Sequence, residues 1–167
     1  MNGTPRTAPA DPRTSLADLV RHGHGLTGTH VGCEQAVCGA CVLLLDGVPV
    51  RSCAVLAVQA EGACVETVES LAPDPPPGSP APLPRPTGPP DPHTLSPLQE
   101  ALREHHGLQC GFCTPGLLMA LTWAEREGLS LEETLEEVLP GHLCRCTGYA
   151  GIRAAVTAHR NRKEPPR

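Results

Sequence analysis

Eight of the nine cysteines in this 167-residue chain fall into two sets of four. The first set is Cys33-x4-Cys38-x2-Cys41, closed by Cys53 after eleven intervening residues. The second is Cys110-x2-Cys113, followed after thirty residues by Cys144-x-Cys146. Four thiolates suit a [2Fe–2S] cluster, two sulfurs on each iron, and C-x4-C-x2-C…C is a spacing that holds one. Two such sets in one chain point to an electron conduit with two one-electron centres.

The competing chemistry is zinc. Structural zinc usually pairs two C-x2-C knuckles. The first set instead offers three closely spaced thiols and one remote, which favours iron–sulfur. The second set, taken alone, would also suit zinc. The alternative reading is therefore a zinc-stabilised, non-redox interaction module whose thiolates only hold the fold. A cluster also needs backbone N–H groups close to its sulfides. Gly32, Gly39 and Ala40 are small enough to let the chain approach. Cys110 and Cys113 precede Thr114-Pro115, a helix start whose positive end favours thiolate. The ninth cysteine, Cys64, belongs to neither set and reads as a small buried or half-buried thiol.

No other residue set suggests catalysis. There is no Ser/His/Asp grouping, no pair of carboxylates suited to a cleft and no phosphate loop, so no catalytic residue is assigned. His105 and His106 read as C-terminal caps before Gly107, since both ligand sets are already complete. Glu100, Glu132, Glu133, Glu136 and Glu137 read as solvated helix faces. The net charge of −5 is mixed along the chain, with no basic stripe or aromatic platform for nucleic acid. No apolar run nears the roughly 18 residues of a membrane span. Met1 to Thr14 is polar and Pro-rich, without an apolar signal core. These features suggest a reducing, cytoplasmic setting, where close-set cysteines bind metals more often than they form disulfides.

The elements that must position the thiols follow from pattern. Leu16, Leu19 and Val20, after a cap at Thr14 or Ser15, predict a short helix ending near Gly23. Thr27 to Cys41 is Gly- and Cys-rich and reads as a loop wrapped around a cluster. Val42 to Val50 reads as strand, Asp46-Gly47 turn and strand. Val55 to Val68 alternates weakly and predicts a further strand. Residues 73–97 hold twelve prolines in twenty-five residues and read as a stiff, extended spacer. Beyond them the pattern is helical. Leu98 and Leu102 recur at helical spacing, and Pro115 opens a helix carrying Leu117, Leu118, Leu121 and Trp123. Ser130 and Glu133 form a capping box ahead of Leu135 and Val138. Ala150 to His159 closes the bundle with Ile152, Ala155 and Val156 inward. Aromatics number only three, Phe112, Trp123 and Tyr149, so Leu, Val and Ala must build the core. Halves this small need a metal staple, and each carries one candidate.

Gly32-Cys-Glu-Gln-x-Val-Cys-Gly-Ala-Cys41, Gln109-Cys-Gly-Phe-Cys-Thr-Pro-Gly116 and Leu143-Cys-Arg-Cys-Thr-Gly-Tyr149 closely resemble the small iron–sulfur subunit of molybdenum hydroxylases. This is the family of xanthine dehydrogenase and aerobic carbon monoxide dehydrogenase. The resemblance covers about residues 10 to 160, apart from the proline stretch. It implies an α+β protein, with an N-terminal plant-type ferredoxin (β-grasp-like) domain and a C-terminal four-helix [2Fe–2S]-binding domain. The divisions expected are 1–72, a linker at 73–97, 98–160 and a polar tail at 161–167. The resemblance also implies partners: a large subunit holding the molybdopterin cofactor and a medium subunit holding FAD. Electrons would run from molybdenum to the Cys110/Cys113/Cys144/Cys146 cluster, then to the Cys33/Cys38/Cys41/Cys53 cluster, then to FAD or another acceptor. Gln109 matches a glutamine that contacts the molybdopterin, and Arg145 is favoured as an interface charge. A free-standing ferredoxin would need only the first half, and the helical half argues against it.

Three departures stand out. Ala36 occupies a position where the family usually has glycine; if φ is positive there, alanine adds strain of about 1 kcal/mol. The family's first strand, before the Asn2-Gly3 turn, is missing, which suggests either a start further upstream or an uncovered sheet edge. The proline connection is longer than usual. His142 and Ala150 also replace common polar residues, with little effect expected.

Overall fold

The computed structural model describes residues 1–71 and 95–163. Most of the proline-rich connection lies outside these, and with it the expectation of an extended spacer. Pro97 belongs to the following helix instead, at the position after its Ser96 cap.

In the first half Ser15 caps α1 (Leu16–Asp18), accepting from the Asp18 N–H, and a wider π-type turn carries the helix on to Gly23. Strands β1 (Val42–Leu45) and β2 (Val48–Arg51) form an antiparallel hairpin. Asp46 and Gly47 between them both take positive φ, 50° and 81°. Such a two-residue turn matches the right-handed twist of the strands. β3 (Val65–Glu66) pairs with the other side of β1, giving the order β2-β1-β3.

The strand expected over Val55–Val68 shrinks to these two residues. The rest is 3-10 turn, Ser52–Ala54, Ala57–Ala60 and Val68–Leu71. Two local hydrogen bonds hold the middle turn: Leu56 N–H donates to the Gln59 side chain, and Gln59 N–H to the Leu56 carbonyl. Local bonds of this kind outbid a ladder where apolar alternation is weak.

The outer edge of β3 is not bare. Asn2 donates its backbone N–H to Val65 O at 2.8 Å, and its side-chain amide exchanges two hydrogen bonds with Thr67. Met1 packs on the core formed by Leu16, Val20, Leu43 and Val65.

The second half holds α2 (Pro97–Glu104), α3 (Thr114–Arg126), α4 (Leu131–Glu133) and α5 (Ala150–Lys163). A π-type turn over Thr134–Val138 extends α4. Both Ser96/Gln99 and Ser130/Glu133 make reciprocal capping boxes. The inward residues are those expected: Leu98, Leu102, Leu117, Leu118, Leu121, Ile152, Ala155 and Val156 form one core.

Successive residues of a strand face opposite ways, and β1 uses both faces. Leu43 points to α1, whereas Val42 and Leu44 pack on Met119 and Ala120 of α3. One strand thus serves two cores and joins the halves. Arg126, at the end of α3, adds a two-pronged ion pair to Glu66 of β3, both contacts 2.9 Å.

Candidate metal centres

Cys33 and Cys38 lie in the loop between α1 and β1, Cys41 at its end, and Cys53 in the turn after β2. The loop turns sharply, with Glu34, Ala36 and Gly39 at φ of 54°, 56° and 80°. The strain expected at Ala36 is therefore present. These turns aim backbone N–H groups inward: Cys33 Sγ accepts from Cys38 N at 3.4 Å and Gln35 N at 3.5 Å. The N–H donors of Cys38, Gln35 and Val37 hold the Cys33 thiol down at about 6. Cys41 is buried, and burial pushes it up to about 11.

Cys110 and Cys113 precede α3, and Cys144 and Cys146 lie between the α4 extension and α5. The helix start was expected to favour thiolate at Cys113. Burial outweighs it and pushes that thiol up to about 12, with Cys144 beside it adding to the rise. Burial takes away the water that would stabilise the thiolate. Burial also raises Cys144, but hydrogen bonds from Thr147 and Cys146 exceed that cost and leave it below the ordinary thiol range.

The sulfurs meet in pairs. Cys110 and Cys146 stand 3.5 Å apart and are both exposed. Cys113 is within hydrogen-bond reach of Cys144, Cys33 of Cys38, and Cys41 of Cys53. Two thiolates on one tetrahedral ion at about 2.3 Å stand about 3.8 Å apart, close to the 3.5 Å between Cys110 and Cys146. Among the described residues no three His, Cys, Asp or Glu side chains converge on a single ion. Thiols that gather two by two suit a binuclear centre, with one pair on each metal. The donor chemistry therefore fits [2Fe–2S] groups, and fits mononuclear tetrathiolate zinc poorly.

The two loops touch. Gly116 of α3 packs so tightly on the first loop that an added Cβ would lie 2.1 Å from Gly39 O. At Gly39 a Cβ would lie 2.5 Å from Gly141 O. Arg51 donates to Gly141 O at 3.1 Å, and Leu143 N–H to Cys38 O at 2.9 Å. His142 is wedged in this seam, and burial, then the nearby Arg51 cation, depresses its pKa to about 4. The Phe112 ring stacks on His30, whose Nδ1–H donates to Phe112 O at 2.9 Å.

Of the other residues singled out by sequence, Gln109 is exposed beside Cys110, and Arg145 is exposed in a loop rather than at a helix end. His105 caps α2 as expected. Cys64 corrects an expectation: it is exposed, because the inward position beside it goes to Val65. Thr147, Tyr149, Arg51 and His30 were not singled out. Only the Thr-Gly-Tyr tail of the last motif hinted at the first two.

A small α+β unit with a three-stranded sheet and a helical unit, each presenting four thiols on its loops, defines a two-centre iron–sulfur protein. The comparisons agree. Residues 1–69 match the 2Fe-2S iron-sulfur cluster binding domain and residues 87–157 the [2Fe-2S] binding domain. The chain is 48% identical to caffeine dehydrogenase subunit gamma of Pseudomonas sp. (strain CBB1), over 93% of this chain and 85% of that one. It is 45% identical to the nicotine 6-hydroxylase small subunit of Paenarthrobacter nicotinovorans, over 93% and 84%. Quinoline 2-oxidoreductase from Pseudomonas putida 86 superposes with a TM-score of 0.76 at 45% identity, over 96% of this chain and 92% of that one. The chain belongs to the small iron–sulfur subunits of the xanthine dehydrogenase family of molybdenum hydroxylases. It is an electron-transfer component of an oxidoreductase.

Proposed function

We propose that Cys33, Cys38, Cys41 and Cys53 hold one [2Fe–2S] cluster and Cys110, Cys113, Cys144 and Cys146 a second. The observation that carries this reading is the two-by-two pairing of the sulfurs. Each cluster, when bound, takes up and gives out one electron at a time. The chain's part is to ligate with thiolates, to direct N–H groups at sulfur and to keep the two loops at a fixed separation. The Gly39–Gly116 approach and the Leu143–Cys38 hydrogen bond support that last role.

The partners in this reading are a large subunit with molybdopterin and a medium subunit with FAD, in the cytoplasm. Cys110 and Cys146 are exposed, with Leu108, Phe112 and Leu143 also exposed around them at 40–55%. Apolar side chains left open around a redox centre suit a protein interface. This end faces the molybdopterin subunit, and Gln109 reaches that cofactor. Relatives named for caffeine and nicotine, and the structure named for quinoline, support an N-heteroaromatic substrate for the assembled enzyme.

Low-temperature EPR of the anaerobically reduced chain, with iron counted on the same sample, tests the reading. Two distinct signals and about four irons per chain are expected, two per cluster. A colourless protein containing zinc and giving no signal would replace it with the structural module.

A further inference from the structure

The four thiols of the second set are not bonded alike. Cys144 Sγ has the Thr147 hydroxyl at 3.2 Å. Thr147 Oγ1 in turn accepts the Tyr149 backbone N–H at 3.1 Å. That incoming N–H occupies oxygen lone-pair space and leaves the hydroxyl proton free to point at sulfur. A thiolate on iron has no proton of its own, so in the loaded site the hydroxyl is the only available donor of the two.

The arrangement is braced from the other side. Tyr149 Oη accepts the Cys144 N–H at 2.9 Å and donates to His142 O at 3.0 Å. The backbone of Cys144 is thereby fixed while Thr147 addresses its sulfur. Cys144 is half-buried, whereas Cys110 and Cys146 are exposed. A hydrogen bond to sulfur is stronger where water is scarce. In the first set the corresponding donors are backbone N–H groups on Cys33, and the nearby Ser52 hydroxyl donates to Cys41 O instead. Among the described residues, the Thr147 hydroxyl proton meets no carbonyl that competes with the Cys144 sulfur for it, whereas Ser52, also beside a ligand sulfur, gives its proton to the Cys41 carbonyl.

We infer that Thr147 is a positioning residue that sets the reduction potential of the Cys110/Cys113/Cys144/Cys146 cluster through an O–H···S bond to Cys144. This rests on the two-cluster reading above. Reduction adds one electron and leaves more negative charge on the thiolates. A donor at sulfur stabilises the reduced state more than the oxidised one. Thr147 therefore raises the potential of this cluster and leaves its neighbour's unchanged.

The test is an EPR-monitored redox titration of the full chain as wild type, Thr147→Val, Thr147→Ala and Thr147→Ser. Iron content and both signals are recorded for each. In Val and Ala the C-terminal signal is expected to titrate lower, by up to a tenfold change in the reduced-to-oxidised ratio at fixed poise, about 59 mV for one electron. The serine variant restores the wild-type value, and the N-terminal signal stays in place throughout. If Val fails to take up its cluster, the Ala–Ser pair makes the same comparison. Equal potentials in Ala and Ser overturn the tuning role, as does a matching shift of both signals. Absence of two signals in the wild type would overturn the two-cluster reading itself.

Discussion

The backbone N–H of Leu143 donates to the carbonyl oxygen of Cys38 at 2.9 Å. Leu143 immediately precedes Cys144, so a single hydrogen bond joins a residue of the first thiol set to the chain entering the second. Phe112, between Cys110 and Cys113, reaches back to His30 and packs against Gly32 next to Cys33. Besides the packing of β1 on α3, the seam between the halves thus includes the neighbours of the thiols. Changes in the seam are expected to register at both centres.

Gly116→Ala places a methyl group 2.1 Å from Gly39 O and 2.8 Å from Ala40 O. Both neighbours are backbone and cannot swing aside. Overpacking of this kind costs about 1–3 kcal/mol. A clear fall in Tm is expected, whereas Gly141→Ala, whose nearest contact is an Arg51 nitrogen at 3.6 Å, serves as the mild control. Equal melting temperatures for the two variants would show that the seam can open without loss.

Ala36→Gly relieves a residue held at φ 56°. A left-handed L-residue costs about 1–2 kcal/mol, and glycine's freedom in the unfolded chain returns about half of that. A net gain below about 1 kcal/mol is expected, seen as slower bleaching of the N-terminal cluster in the presence of a chelator. Identical bleaching rates would show that the loop does not feel this strain.

Glu125 is half-buried on α3 and faces His159 and Lys163 of α5. Burial alone would raise its pKa, but the close His159 imidazole and the hydrogen bond from Lys163 hold it down at about 2. A depressed carboxylate stabilises the fold above its unfolded value of about 4.3 and loses that contribution as pH falls towards 2. Glu125→Gln is therefore expected to be less stable than wild type near pH 6, with the gap closing between pH 4.3 and 2. Denaturant unfolding across that range measures it, and a gap independent of pH would remove the ion pair as the cause.

Tyr149→Phe removes the oxygen that bridges Cys144 N–H and His142 O. Leaving these half-buried groups unpaired costs about 1–3 kcal/mol. Iron is expected to leave the Cys110/Cys113/Cys144/Cys146 site faster under chelation, with the other site affected less. Parallel decay of the two EPR signals would contradict this local role.

Much of the framework is legible in the sequence, for local reasons. Asp46-Gly47 declares its hairpin because few residue pairs accept two positive φ values in succession. Ser130 and Glu133 announce a helix start because their reciprocal bonds span only three residues. Cluster ligation fixes cysteine spacing within a loop in the same way. What stayed hidden depends on contacts between distant segments. Nothing near Gly39 tells that Gly116 will lie against it. The pairing of Cys110 with Cys146 and of Cys113 with Cys144 follows from how α3 meets the loop before α5. The weak alternation over Val55–Val68 was overcome by short-range turns, and Cys64 faces outward because Val65 takes the inward place.

The approach of Gly116 to Gly39 also bears on how genetic data for this chain would be interpreted. In a saturation mutagenesis screen scored on activity, these two positions would tolerate as little as the eight paired thiols, although neither has a side chain to offer a metal. A ranking by intolerance alone would then place these two glycines among the proposed ligands. Scoring iron content and melting temperature on the same clones would separate the residues that hold the metal from those that hold the distance.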